Sequence, residues 1–184
     1  MLIDWQMFCR DICCKWIQHH AMPIGGINPA TSNPLAIKID ESLFFKMKYH
    51  RGAVHEGKWM LGGVERGSKK CFMVEVDSWD VATLMPIIQQ WVLFGSRVIT
   101  DGWAAYTASL GFLANPQYAH DTVNHTLHFV DPNDPTLHTN AVEGFWSHGK
   151  QKFRHMHRMC NAHFDSYIAE FMFRYRSLLA TKYI

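Results

Sequence analysis

The sequence predicts an α/β domain, a mixed β-sheet flanked by helices. Three β-type runs follow one another between residues 36 and 76, later strands alternate with helical patterns, and a long amphipathic stripe closes the chain. Consecutive strands followed by alternating helices and strands give a mixed sheet with helices on its faces.

The elements follow in order. Apolar residues at 2, 5, 8, 9, 12, 13, 16 and 17 recur with the i, i+3, i+4 spacing of an amphipathic helix over 2–19, expected to pack on the edge of the domain. The stretch 22–34 (MPIGGINPATSNP) concentrates Gly, Pro, Asn and Ser and reads as a connector, so 1–34 is an amino-terminal helix plus connector and 35–184 the main domain. AIKID (36–40), KWMLGGV (58–64) and CFMVEV (71–76) form a strand meander, with Gly67-Ser68 as the turn between the last two. An apolar pattern at 81, 84, 87, 88, 91 and 92 is helical. Because proline is tolerated in a helix chiefly in its first turn, Pro86 predicts a start near Ala82 or Thr83. RVIT (97–100) is a buried strand running straight into Asp101-Gly102, WAAYTASL a short helix, and YAHDTV (118–123) a weaker strand. VDPNDPTLHTN (130–140) is a loop whose Thr139 or Asn140 can cap a helix carrying Glu143, Trp146 and Lys150. A last helix over about 163–180 shows a stripe at 164, 167, 168, 171, 172, 175, 178 and 179 that reads as core packing.

Composition narrows the functional classes. A chain of 184 residues and 21.3 kDa supports one core, and 48% hydrophobic against 18% charged residues excludes disorder as its main state. The greasiest stretch, 81–94, is interrupted by Gln89 and Gln90, well short of the ~20 apolar residues of a membrane helix. Asp4 stands where a secretory signal would be basic. Five cysteines without CxxC pairs suit a reducing compartment and exclude zinc-finger spacing; in Cys9, Cys13 and Cys14 helix packing is favoured over metal binding. Eight of twelve histidines lie beyond residue 119, yet no tight ligand spacing supports a His-rich metal binder.

The net charge of +2 is unevenly spread. Residues 36–70 hold eight Lys/Arg against four acids, 71–143 hold Arg97 alone against eight acids, and 144–184 hold seven bases against two acids. An acidic centre between basic flanks suits a metal-dependent enzyme acting on a polyanion, with carboxylates holding cations and bases holding phosphates. An unevenly charged solvated surface is the plainer alternative.

Three acids stand out by placement: Asp40 at the end of the first strand of the meander, Asp101 at the end of the 97–100 strand, and Glu143 in a helix just after its capped start. Carboxylates at adjacent strand ends, joined by one from a facing helix, can converge on two divalent cations about 4 Å apart, and oxygen ligands favour Mg²⁺ or Mn²⁺.

The words around these acids, IKIDES (37–42), ITDGWAAY (99–106), VNHTLHFVDP (123–132) and HTNAVEGFW with Lys150 (138–150), occur in that order. Together they resemble the DDE transposase domain of the Merlin superfamily of DNA transposons and its bacterial insertion-sequence relatives. KYHRG (48–52), WMLGGVERGSKKCF (59–72) and ATLMPII (82–88) extend the resemblance over nearly the whole chain. It implies an RNase H-like fold and a catalytic, metal-binding triad carried over as Asp40, Asp101 and Glu143. Two Mg²⁺ or Mn²⁺ ions would serve to cleave DNA and join a 3′-hydroxyl to target DNA. It also implies transposon ends and target DNA as partners and self-association. Localisation would be nuclear in a eukaryotic host, or the nucleoid-bearing cytoplasm of a bacterium. Trp79 stands where relatives tend to carry arginine, and only about 35 residues precede the first strand of the meander, where full-length relatives carry a DNA-recognition region. A domesticated or degenerate DNA- or protein-binding domain without catalysis is therefore the alternative function, against which the retention of all three acids argues.

Accessory residues follow. Glu41 lies on the opposite strand face from Asp40 and reads as structural rather than a ligand. Asn140 can either face the site or cap its helix. Lys150, two turns beyond Glu143 on about the same face, is the foremost phosphate contact. Lys152, Arg154 and Arg158, with His155 and His157, form a basic cluster suited to DNA or to solvent. His125 can position DNA or water and His128 likewise, with hydrogen-bonded structural histidines as the alternative. Trp103 and Trp146 read as core residues around the site.

Overall fold

A computed structural model describes residues 2–20, 23–44, 57–101, 117–123, 140–154 and 163–178. Its elements are α1 (Leu2–His20), β1 (Ile24–Gly25), β2 (Ala36–Phe44), β3 (Lys58–Glu65), β4 (Cys71–Val76), α2 (Val81–Trp91), β5 (Val92–Leu93), β6 (Ser96–Thr100), β7 (Tyr118–Thr122), α3 (Asn140–Arg154) and α4 (Phe164–Leu178).

The main sheet has the order β4-β3-β2-β6-β7. β2, β3 and β4 pair antiparallel, while β2–β6 and β6–β7 are parallel. This is the mixed sheet that the run of strands predicts. A meander whose first strand lies at the centre and is extended by parallel strands is also the RNase H-like arrangement that the resemblance implies.

Side chains alternate across the sheet, so each strand feeds two cores. On one side α2 buries Leu84 and Ile88 against Ile37, Ile39, Leu61, Phe72 and Val98. On the other, α3 and α4 bury Val142, Phe145, Phe153 and Phe171 against Phe44, Met60, Val64 and Met73. α1 packs along α4, with Ile17 in that second core and the Arg10 guanidinium over the Tyr167 ring. Cys13 is buried in this contact and Cys9 and Cys14 are half-buried free thiols, which agrees with helix packing.

The structure refines several expectations. β2 runs on to Phe44, four residues past the predicted AIKID. The connector contributes β1, which pairs in parallel with β5 and buries Ile24 in the α2-side core. Helix α2 begins at Val81 rather than Ala82 or Thr83, because the Asp80 carboxylate accepts from the Thr83 backbone N–H at 2.8 Å and caps the helix there. Pro86 consequently stands inside the helix, on an exposed position opposite the buried Leu84, Met85 and Ile88. Burial of that apolar face offsets the backbone hydrogen bond that proline cannot donate. The predicted 103–110 helix and 130–139 loop lie outside the described residues. No helix among the described residues is long and apolar enough to cross a membrane.

Candidate active site

β2 and β6 bring two of the three singled-out acids together by register. Ala36, Ile37 and Lys38 stand opposite Arg97, Val98 and Ile99, and continuing that parallel register by two residues sets Asp40 beside Asp101. Both carboxylates then leave the sheet on the α3 side, where β6 has just ended at Thr100.

Asp40, Glu41 and Asp101 each present a carboxylate oxygen, and the three oxygens lie within 4.8 Å of one another. The Glu41 carboxylate, which alternation sets on the opposite face of β2 from Asp40, reaches the same end of the sheet. β2 continues past the end of β6, so no β6 residue flanks it there, and its side chain can turn round the sheet end to join the other two. All donors are hard oxygens on half-buried side chains, a set that fits Mg²⁺ or Mn²⁺ and not a thiolate-seeking metal.

Glu143 lies outside that group of three, with an exposed side chain in the first turn of α3. Its charge acts on Lys38, which projects from the same face of β2 as Asp40 and is completely buried, at 0% exposure. Burial pushes the Lys38 ammonium down to about 8, the nearby Arg66 works in the same direction, and Glu143 works against both. A lysine two residues from an acid on one strand shares its face, so alternation could have flagged Lys38.

Trp146 is 5% exposed and belongs to the core, as read from sequence, but it also does something the sequence reading missed. Its indole Nε1–H donates to Asp40 Oδ2 at 3.0 Å. Glu143, Trp146 and Lys150 share one face of α3 by their three- and four-residue spacing.

The basic candidates divide. The Lys150 ammonium stands 5.7 Å from the Phe44 ring centre and within the field of Asp40; burial lowers its pKa and Asp40 partly restores it. Lys150 thus borders the carboxylates. Lys152 turns to the other side of α3, 3.1 Å from the Glu170 carboxylate, which Arg174 also contacts at 2.7 Å. Arg154 is exposed in the last turn of α3, and Asn140 is the first residue of that helix. Arg158, His125, His128, His155, His157 and Trp103 lie outside the described residues.

A family model described as the ISXO2-like transposase domain matches residues 39–176, the stretch that holds Asp40, Asp101 and Glu143. An uncharacterized transposase-like protein of Haemophilus influenzae is 29% identical over 108 residues, covering 59% of this chain and 82% of that protein. Among solved structures, a chain of the simian T-cell lymphotropic virus intasome in complex with PP2A regulatory subunit B56 gamma aligns with a TM-score of 0.49 and 16% identity. That alignment covers 83% of this chain but 52% of the viral one, so the chain spans about half the length of that relative. The HTLV-2 integrase catalytic core domain in complex with magnesium, in its trimeric form, aligns with a TM-score of 0.45 and 11% identity over 76% of this chain and 82% of that one.

Proposed function

Because the chain belongs to the ISXO2-like transposase domain family, we propose that it is a DDE-type catalytic domain that cleaves and rejoins DNA strands by divalent-cation-dependent phosphoryl transfer. The observation that carries this reading is the convergence of Asp40, Glu41 and Asp101 at the ends of β2 and β6.

A bound pair of Mg²⁺ or Mn²⁺ ions would activate the attacking oxygen and stabilise the departing one. Asp40 and Asp101 would hold the cations from the sheet, with Glu41 beside them. Glu143 would close the site from α3. Lys150, bordering the carboxylates, would hold a phosphate of the scissile strand by charge. The balanced chemistry is a pair of displacements at phosphorus. Water attacks a phosphodiester and releases a 3′-hydroxyl strand; that hydroxyl then attacks a target phosphodiester and releases another 3′-hydroxyl. Self-association on paired DNA ends belongs to the same proposal.

The test is nicking of supercoiled plasmid in Mg²⁺ or Mn²⁺. Wild type should nick and lose activity in EDTA, and Asp101→Asn should keep its circular dichroism spectrum while nicking falls to background. A folded Asp101→Asn protein that nicks at the wild-type rate sinks the assignment. Absence of nicking by wild type, with DNA binding retained, points to the non-catalytic alternative.

A further inference from the structure

We propose that Trp146 is a positioning residue for the carboxylate site, holding the Asp40 side chain through its indole N–H, and that glycine at position 62 supplies the space this requires. The inference rests on the reading of Asp40 and Asp101 as cation ligands.

Two independent pieces of geometry carry it. The first is the hydrogen bond from Trp146 Nε1 to Asp40 Oδ2, made by a side chain only 5% exposed. A carboxylate turns easily about its last torsion, and a fixed donor on one oxygen removes that freedom. Donors behind a ligand orient it, and losing one typically costs about 10- to 100-fold in metal affinity or activity.

The second is steric. Gly62 is the antiparallel partner of Asp40 on β3, directly beneath the indole. A Cβ there would fall 2.5 Å from Cη2 and 2.8 Å from Cζ2 of Trp146, closer than carbon atoms approach. Any side chain at 62 would push the indole away from the sheet and off Asp40. Trp146 is further fixed edge-on by Phe44, with ring centres 5.8 Å apart, and by its neighbour Phe145 at 5.3 Å. Its place one turn after Glu143 means that the contact also sets how α3 lies over the sheet, and therefore where Glu143 stands.

A buried indole N–H needs some acceptor, so a purely structural role would produce the same hydrogen bond. The two roles differ in whether metal affinity changes in a protein that stays folded. The experiment is calorimetric titration of Mn²⁺ into the full chain as wild type, Asp101→Asn, Trp146→Phe and Gly62→Ala, with circular dichroism and thermal unfolding on each sample. Trp146→Phe keeps an aromatic ring, deletes the donor and gives up part of the indole's volume over Gly62. It should stay folded and bind Mn²⁺ about tenfold or more weakly, and Gly62→Ala should follow it. Without any substitution at Trp146, the wild-type indole ¹H–¹⁵N signal of Trp146 should shift on adding Mg²⁺ and hold still in Asp101→Asn.

A folded Trp146→Phe protein with Mn²⁺ affinity within about twofold of wild type overturns the positioning role alone. If that variant does not fold, an indole signal that ignores Mg²⁺ while wild type binds it overturns the role equally. A wild type that binds no Mn²⁺ overturns the ligand reading, and this inference with it.

Discussion

Ile37 and Ile39 of β2 enter the α2-side core, whereas Lys38 and Asp40 of the same strand enter the α3 side. The paired glycines of β3 repeat the contrast. A Cβ on Gly63 would strike the Phe72 ring at 2.3 Å on the α2 side, and one on Gly62 would strike Trp146 on the α3 side. The two faces use the same strands and equally tight packing, and each buries one charged side chain: Lys38 at 0% exposure on the α3 side, and Glu65 at 4% on the α2 side, where its carboxylate accepts from the Gly25 backbone N–H at 2.7 Å. Burying charge is costly unless it is partnered. The α3 face supplies partners: Trp146 for Asp40, and Glu143 acting on Lys38. What sets the α3 side apart is that its strand ends bring the Asp40 and Asp101 carboxylates together.

The comparison can be broken by matched substitutions. The largest effects on stability should come from the aromatic pillars. Phe72→Ala and Phe145→Ala, each removing a fully buried ring from one core, should each cost about 3–5 kcal/mol in urea denaturation. A large inequality would mean that one face dominates the fold.

Smaller and sharper is the glycine pair. Gly63→Ala and Gly62→Ala should each cost about 1–3 kcal/mol by overpacking, yet only Gly62→Ala should weaken Mn²⁺ binding. Equal loss of affinity in both would erase the distinction between the faces.

The smallest effect concerns Lys152, which faces α4 rather than the carboxylates. Burial works to raise the Glu170 pKa, but Lys152 and Arg174 outweigh it and hold the carboxyl below its ordinary 4.5. A lowered folded-state value gives stability that is present above 4.5 and lost as pH falls through the folded value. Lys152→Met should flatten this acid-side loss, followed by denaturant titrations between pH 6 and 3. By contrast, Lys150→Met should weaken DNA binding more than Lys152→Met does. An unchanged acid slope in Lys152→Met would remove Glu170 as its partner.

Much of this architecture is legible in residue patterns. β3 and β4 follow from apolar runs between turn residues, and Asp101 at the end of β6 from RVIT followed by Asp-Gly. Alternation states which residues share a face, but not that β2 outruns β6, and so it set Glu41 aside. The Trp146 contact was illegible because it joins residues 106 positions apart, through a helix docking angle that no local pattern encodes. The start of α2 falls one residue before the position the proline rule gives, because the Asp80 cap fixes it. Lys38 was within reach of the strand alternation, but its burial depends on α3 covering that face.

The central claim is that the oxygens of Asp40, Glu41 and Asp101 form a divalent-cation centre. Crystals soaked in MnCl₂ and measured for anomalous scattering test it most directly. The account predicts a manganese peak within coordination distance of the Asp40 and Asp101 carboxylates, lost in Asp101→Asn. Manganese bound elsewhere, with no peak between these two strand ends, would contradict it.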